Sequence, residues 1–199
     1  MSHITGIITA AGFSKRMGTL KALLPWKGTT MISHQINCLR YSGCTDIIVV
    51  LGFKSKQISD EIDCEDVIVV ENNDYSYGRA SSIKSGVRKS YFDTDCFVIL
   101  GVDQPRNSEI ISSLINSHLQ SEFLITSPRY LGNGGHPIII SSKLRDELLN
   151  IDEETLGMKK IFEKYRANGI NKVEFDDPLV RLDLNEINDY NLAYDQFGN

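Results

Sequence analysis

Four short segments hold the side chains with chemical potential, and they differ in what they offer. The first is Thr9-Ala10-Ala11-Gly12-Phe13-Ser14-Lys15-Arg16-Met17-Gly18-Thr19-Leu20-Lys21. Ala10 and Ala11 are small enough for a flat base or a ribose to lie against the backbone, and Gly12 is free to take a positive φ. Arg16 and Lys21 add two fixed cations, one able to fork across phosphate oxygens and one acting as a point charge. The spacing is neither GxxxxGK[ST] nor GxGxxG, so the segment reads as an unusual nucleotide-phosphate loop or as a polar loop with scattered charges. The second segment, Gly101 to Arg106, follows the apolar run Phe97 to Leu100 and presents Asp103. A carboxylate beside phosphates is repelled unless a cation intervenes, and an oxygen-ligated magnesium is the usual solution. The alternative, that Asp103 only opens a turn ahead of Pro105, is the weaker of the two. Asn72 to Ala80 is the third segment. The fourth is Gly132 to Pro137, in which His136 either contacts a substrate or belongs to a turn closed by Pro137.

These segments need a frame. Ile4–Thr9, Ile47–Leu51, Val67–Glu71, Phe97–Leu100, Phe123–Thr126, Ile138–Ile140 and Val173–Phe175 are short runs rich in β-branched and other apolar residues, the pattern of strands buried on both faces. Helix-length segments lie between most of them. Met31 to Tyr41 aligns Ile32, Ile36 and Leu39 on one face before Ser42-Gly43. Ser55–Ile62, Ser82–Tyr91, Ser108–Gln120, Ser142–Leu149 and Gly157–Tyr165 are read alike, with serine as the helix cap. Strand and helix alternate from the start, which predicts a largely parallel sheet with helices on both sides. In such a sheet ligands gather at the carboxyl ends of the strands, and three of the four segments directly follow a strand.

Composition bounds the function. The chain has 199 residues, 41% of them hydrophobic and 24% charged, which suits one domain spanning residues 1–199. A net charge of -5 argues against nucleic acid or an anionic membrane as partner and requires any anion to be held locally. No apolar run approaches the roughly 18 residues of a membrane span. Only Met1 to His3 precede the first strand, so the expectation is no signal peptide and a cytoplasmic location. Cys38, Cys44, Cys64 and Cys96 show no CxxC or metal spacing and read as reduced and structural. The aromatic tail from Asn188 to Asn199 reads as core packing.

The string TAAGFSKRMGTLKALLPWKG resembles the opening signature of the MobA-like nucleotidyltransferases, LAAG or LAGG followed by x-S-x-R-M-G, a lysine and L-L-P. It is most similar to the molybdenum cofactor cytidylyltransferase branch. NNDYSYGRASSIKSGV, GVDQP, GGHPIII and RLDLNEINDY match further family segments in order, so the resemblance spans residues 4 to 190. It implies an α/β fold, a three-layer αβα arrangement around a mostly parallel Rossmann-like sheet of the nucleotide-diphosphosugar transferase type. The activity implied is nucleotidyl transfer from an NTP, with release of pyrophosphate and with Mg2+ as cofactor.

Carried over residue by residue, the resemblance assigns Ala10, Ala11 and Gly12 to the base and ribose, Arg16 and Lys21 to the triphosphate, and Ser82 to the base. It gives Asp103 and Asn185 to the metal and Gly135, His136 and Pro137 to the acceptor. Lys21, Arg16 and Asp103 are the catalytic set. Ala11 favours CTP over GTP, since Ala-Gly-Gly relatives tend to use GTP. The acceptor implied is a molybdopterin-type phosphate, with a molybdenum hydroxylase apoenzyme as a possible recipient. A sugar or alcohol phosphate, a GTP-using reaction, and a cofactor-carrying chaperone are the alternatives. Three departures stand out: Val102 replaces an aspartate or second small residue, Gly134 replaces the arginine before Gly-His-Pro, and Glu186-Ile187 replace Thr-Pro. Without an arginine at 134 the acceptor is differently shaped or is held by Arg129 or Arg79.

Overall fold

The computed structural model describes residues 2–14, 16–62, 66–155, 157–167 and 169–199; Cys64 and Lys15 lie outside them. Among the described residues ten strands occur in chain order: β1 Ile4–Ala10, β2 Pro25–Trp26, β3 Thr29–Thr30, β4 Asp46–Leu51, β5 Val67–Glu71, β6 Cys96–Gly101, β7 Ile125–Tyr130, β8 Asn133–Gly134, β9 Ile138–Ser141 and β10 Ile170–Glu174. The α-helices are α1 Met31–Tyr41, α2 Ser55–Ser59, α3 Arg79–Lys89, α4 Ser108–Leu119, α5 Arg145–Leu149, α6 Met158–Tyr165 and α7 Ile187–Ala193.

The main sheet runs β5-β4-β1-β6-β9-β7-β10, with β8 paired to β7. Pairings among β5, β4, β1 and β6, and between β7 and β10, are parallel. β9 is antiparallel to both neighbours. Because β9 points the other way, the loop that precedes it emerges at the same edge as the carboxyl ends of the parallel strands. The fourth chemical segment therefore joins the other three, although it leads into a strand rather than out of one.

Strand alternation builds a core on each face. Ile8, Val49, Leu51, Val98 and Leu100 pack with Ile32, Ile36 and Leu39 of α1, Ile111 and Leu114 of α4, and Tyr190 of α7. Ile7, Ile48, Val50, Phe97 and Ile99 pack with Ile83 and Val87 of α3, Leu148 of α5 and Ile161 of α6. Each of these side chains contributes about 1.5–3 kcal/mol by leaving water. The approach of α3 is set by Gly86, where a Cβ would lie 2.7 Å from Ile7 Cγ2.

Helix ends follow local chemistry, and the caps do not fall on the expected serines. Thr30 caps α1 by accepting from the Ser33 N–H, and Asn107 caps α4 by accepting from the Ile110 N–H. Ser55 and Ser108 sit inside the first turn, and α3 starts three residues before Ser82, at Arg79. β7 extends through Pro128, beyond the expected Thr126. Its pairs with β9 end at Thr126 and those with β8 begin at Arg129, so Pro128 interrupts neither ladder with its missing N–H. The tail packs as expected: Trp26, 2% exposed, meets Tyr190 and Tyr194, and the Tyr190 hydroxyl donates to the Pro25 carbonyl at 2.8 Å. Cys38, Cys44 and Cys96 are free; burial pushes the Cys38 and Cys96 thiols up to about 12 and raises Cys44 as well. Among the described residues no helix is long and apolar enough to cross a membrane.

Candidate active site

A cleft of about 560 Å³ opens at the carboxyl edge of β1 and β6. Ala10, Ala11, Gly12, Arg16, Lys21, Ser82, Asp103 and Asn185, drawn from segments far apart in the chain, all line it. Ala10 and Ala11 are buried, and Phe13 and Tyr75 form an aromatic wall with ring centroids 5.1 Å apart. Gly12 differs from expectation. Among the described residues the positive φ values in this loop belong to Ser14 and Gly18, and a Cβ at Gly12 would meet nothing within 4 Å, so what glycine supplies here is open space in the cleft.

Lys21 and Asp103 are already partners. The ammonium Nζ lies 3.1 Å from Asp103 Oδ2, joining the first loop to the one after β6. Arg16 is exposed in the cleft wall. The Ser82 hydroxyl oxygen accepts from Asn72 Nδ2 at 3.1 Å, which leaves its own proton for a ligand.

Asp183 is a cleft residue that the motif comparison passed over. The irregular segment carrying Asp183 and Asn185 is pinned by a bond from the Leu184 N–H to the Asp103 carbonyl at 2.8 Å. Desolvation in the cleft, followed by the charge of Asp103, holds the Asp183 carboxyl above its ordinary value despite opposing effects from Lys21, Arg79 and Arg106. Two carboxylates and an amide thus line one cleft as hard donors. Among the described residues no cluster of three or more His, Cys, Asp or Glu side chains is positioned to hold a metal unaided. A donor set of this size suits a divalent cation that takes its remaining ligands from phosphates and water.

A second cleft of about 880 Å³ adjoins the first, and Arg79 lines both. Gly135 and His136 line the second cleft, whereas Pro137 is buried and lines neither. The loop before them is a tight hairpin: Leu131 and Gly132, with φ of 50° and 74°, make the two-residue turn between Tyr130 and Asn133. His136 is held neutral. Burial, then the charges of Arg79 and Arg106, push its imidazole down to about 3. Its Nδ1 stands 3.1 Å from Gln104 Nε2, so the amide donates and the ring proton resides on Nε2.

Gln104 and Arg106 organise this junction, and sequence reading assigned neither a role. The Gln104 side-chain oxygen accepts from the Gly101 N–H at 2.8 Å and from Arg79 Nη2 at 3.2 Å. Arg106, 1% exposed, donates to the carbonyls of Pro105, His136, Val180 and Leu182 at 2.7–2.9 Å. Burial pulls its guanidinium down to about 9, against the nearby carboxylates of Asp183, Asp103 and Asp177. Among the described residues, the buried Arg79 Nε and Arg129 Nε have no hydrogen-bond partner.

Comparison with known proteins gives the geometry its context. Residues 6–169 match the family described as MobA-like NTP transferase domain. Nicotine blue oxidoreductase of Paenarthrobacter nicotinovorans is 33% identical over 150 residues, covering 71% of this chain and 72% of that protein. Molybdenum cofactor cytidylyltransferase of Escherichia coli K12 is 35% identical over 143 residues, covering 71% of each. The crystal structure of Rv0371c from Mycobacterium tuberculosis H37Rv superposes with a TM-score of 0.83 at 25% identity, over 96% of both chains. That protein has also been solved in complex with manganese, with a TM-score of 0.79 at 23% identity over 96% of this chain and 97% of that one.

Proposed function

The chain belongs to the MobA-like NTP transferase family of nucleotidyltransferases, and from that premise we propose that it transfers CMP from CTP to the phosphate of molybdopterin, with magnesium as cofactor and pyrophosphate as product. The observation that carries this reading is the junction of two clefts across Arg79: one lined by Arg16, Lys21, Asp103 and Asp183, the other by Gly135 and His136.

In this mechanism the base and ribose lie against Ala10, Ala11 and Gly12, with Ser82 donating its free proton to the base. Arg16 and Lys21 take the triphosphate, so Lys21 exchanges Asp103 for phosphate oxygens. An oxygen of the acceptor phosphate forms a bond to the α-phosphorus while the bond from that phosphorus to the bridging oxygen breaks, and the electron pair leaves with pyrophosphate. The attacking monoester, whose second pKa is about 6, is mostly a dianion near pH 7. No general base is needed, which suits a site whose one histidine among the described cleft residues, His136, is locked neutral. Arg79, at the seam, faces the charge on both phosphates. A divalent cation held by Asp103, Asp183 and Asn185 would offset the charge of the triphosphate and of the departing pyrophosphate.

Ala11 supports CTP over GTP. Its methyl group narrows the floor of the base site, and a contact of that size discriminates by roughly 10- to 200-fold. The relative named as an oxidoreductase marks this framework as open to other chemistry, but the paired cations and carboxylates favour nucleotidyl transfer.

The test incubates the protein with CTP, GTP, ATP or UTP, magnesium or EDTA, and molybdopterin, sugar phosphates or no acceptor, and follows pyrophosphate. Release is expected with CTP, magnesium and molybdopterin together. Preference for GTP or for a sugar phosphate would replace the substrate assignment. Tight molybdopterin binding without release would favour a carrier, and consumption of a reduced nicotinamide without release would favour an oxidoreductase.

A further inference from the structure

The second cleft contains an arginine that its immediate neighbour has made room for. Arg129 on β7 and Gly134 on β8 are register partners across the hairpin. A Cβ built at Gly134 would lie 3.0 Å from Arg129 Nη1 and 3.6 Å from its Cζ, so the guanidinium lies directly over the glycine. A side chain at 134 would therefore press on Arg129 in its present position and crowd the guanidinium.

Arg129 is also unspent. Among the described residues its buried Nε has no hydrogen-bond partner and no carboxylate lies within ion-pairing distance. Glu153, Glu163 and Glu174 share the cleft, yet Glu153 is occupied at the start of α3, where it accepts from the Ala80 N–H at 3.0 Å. A buried donor without a partner is costly unless a ligand completes it. The Nε and Nη edge of a guanidinium offers two parallel donors, which match an oxoanion or a carbonyl oxygen beside a ring nitrogen.

We propose that Arg129, lying in the space left by Gly134, is the acceptor-specificity residue: it anchors a paired-acceptor edge of the acceptor molecule on the hairpin side, while Arg79 faces the phosphate at the seam. The proposal rests on the acceptor reading of the second cleft. It explains how a chain with glycine before Gly-His-Pro still presents a guanidinium to that cleft, delivered from the adjacent strand.

The experiment measures molybdopterin binding by pterin fluorescence, in parallel with KM values for CTP and molybdopterin, on Arg129→Ala, Arg129→Lys, Gly134→Arg and the Arg129→Ala/Gly134→Arg double variant. Arg129→Ala should weaken molybdopterin binding roughly 10- to 100-fold and leave the CTP KM within about twofold. Arg129→Lys should not restore binding, because an ammonium lacks the fork. Gly134→Arg alone should also lose affinity, since two guanidinium groups compete for one space, and the double variant should recover to within a few-fold of the parent. A folded Arg129→Ala protein with parental acceptor affinity overturns the proposal, as does an equal rise in both KM values. If Arg129→Ala does not fold, the lysine and Gly134 variants decide by the same criteria. Parental binding without pyrophosphate release refutes the transfer reaction and leaves the anchor standing, whereas a parent that does not bind molybdopterin overturns both.

Discussion

Replacing Lys21 with methionine keeps most of the unbranched stem and deletes one charge, and two observables should then part company. In the resting protein the ammonium lies 3.1 Å from Asp103 Oδ2, with 13% and 29% of the two side chains exposed. At an effective dielectric of about 20, that separation gives about 5 kcal/mol of gross attraction. Desolvation of both groups and ordering of the lysine stem offset most of it, leaving a net contribution of about 1 kcal/mol for a partly hydrated pair. Asp103, freed in an open cleft, regains water. For a chain of this length the melting temperature should fall by only about 2–4 °C. Turnover responds differently, because a fixed charge facing charge that develops on a leaving group is worth about 10²- to 10³-fold. Thermal melts and continuous pyrophosphate release at saturating CTP and molybdopterin read the two effects separately, with Lys21→Arg retaining part of the rate. A Lys21→Met protein whose turnover stays within tenfold of the parent would falsify the phosphate-clamp role. A collapse of the melting temperature would instead make Lys21 chiefly a fastener between the two loops.

The neutral His136 predicts a specific acid sensitivity. Its imidazole sits at about 3 when folded, against about 6.5 when unfolded, so the unfolded chain binds the extra proton between those values. Stability is complete above about pH 6.5 and declines as pH falls towards 3, by up to about 1.4 kcal/mol per unit. Urea titrations of His136→Gln should show a shallower decline, and an unchanged slope refutes the assignment; the ring signals of His136 in NMR should not titrate between pH 5 and 8. Two glycines make a paired prediction. Gly86→Ala should cost about 1–3 kcal/mol, since its Cβ would press on Ile7 at 2.7 Å, despite the gain in helix propensity. Gly12→Ala should change stability by no more than about 0.5 kcal/mol and raise the KM for CTP, and a stability loss as large as that of Gly86→Ala would contradict the open geometry at Gly12.

Legibility tracked how far each feature depends on its own residues. β1, β4 and β6 are buried on both faces, and such continuous apolar runs are recognisable without knowing their neighbours. β10 is an edge strand with alternating exposure, so Asn171 and Lys172 hid its first half from a search for apolar runs. The direction of β9 is a property of the sheet and not of Ile138 to Ser141, which is why that loop's place at the site had to come from topology. Arg16, Lys21 and Asp103 could be singled out because their chemistry stands out beside a strand end. Asp183 could not, since bonds to partners distant in sequence, Leu184 to Asp103 and Arg106 to Leu182 among them, bring its irregular segment to the cleft. The Asp-Leu-Asn alternation at 183–185 was the available signal. Gln104 and Arg106 were missed because their importance lies in partners distant in sequence.

Arg106 has one more consequence. Its described hydrogen bonds all end on backbone carbonyls, so its charge is satisfied in geometry but not cancelled by a bonded counter-charge. It lies too deep for dissolved ions to surround it, whereas Arg16 at the cleft wall is exposed to them. Positive charge at the clefts is therefore of two kinds, one at the wall that fades as electrolyte is added and one behind the lining, offset in part by Asp183, Asp103 and Asp177, that persists. A polyanion drawn to the mouth by the first is retained by the second, so its capture rate should depend on ionic strength more steeply than its residence time.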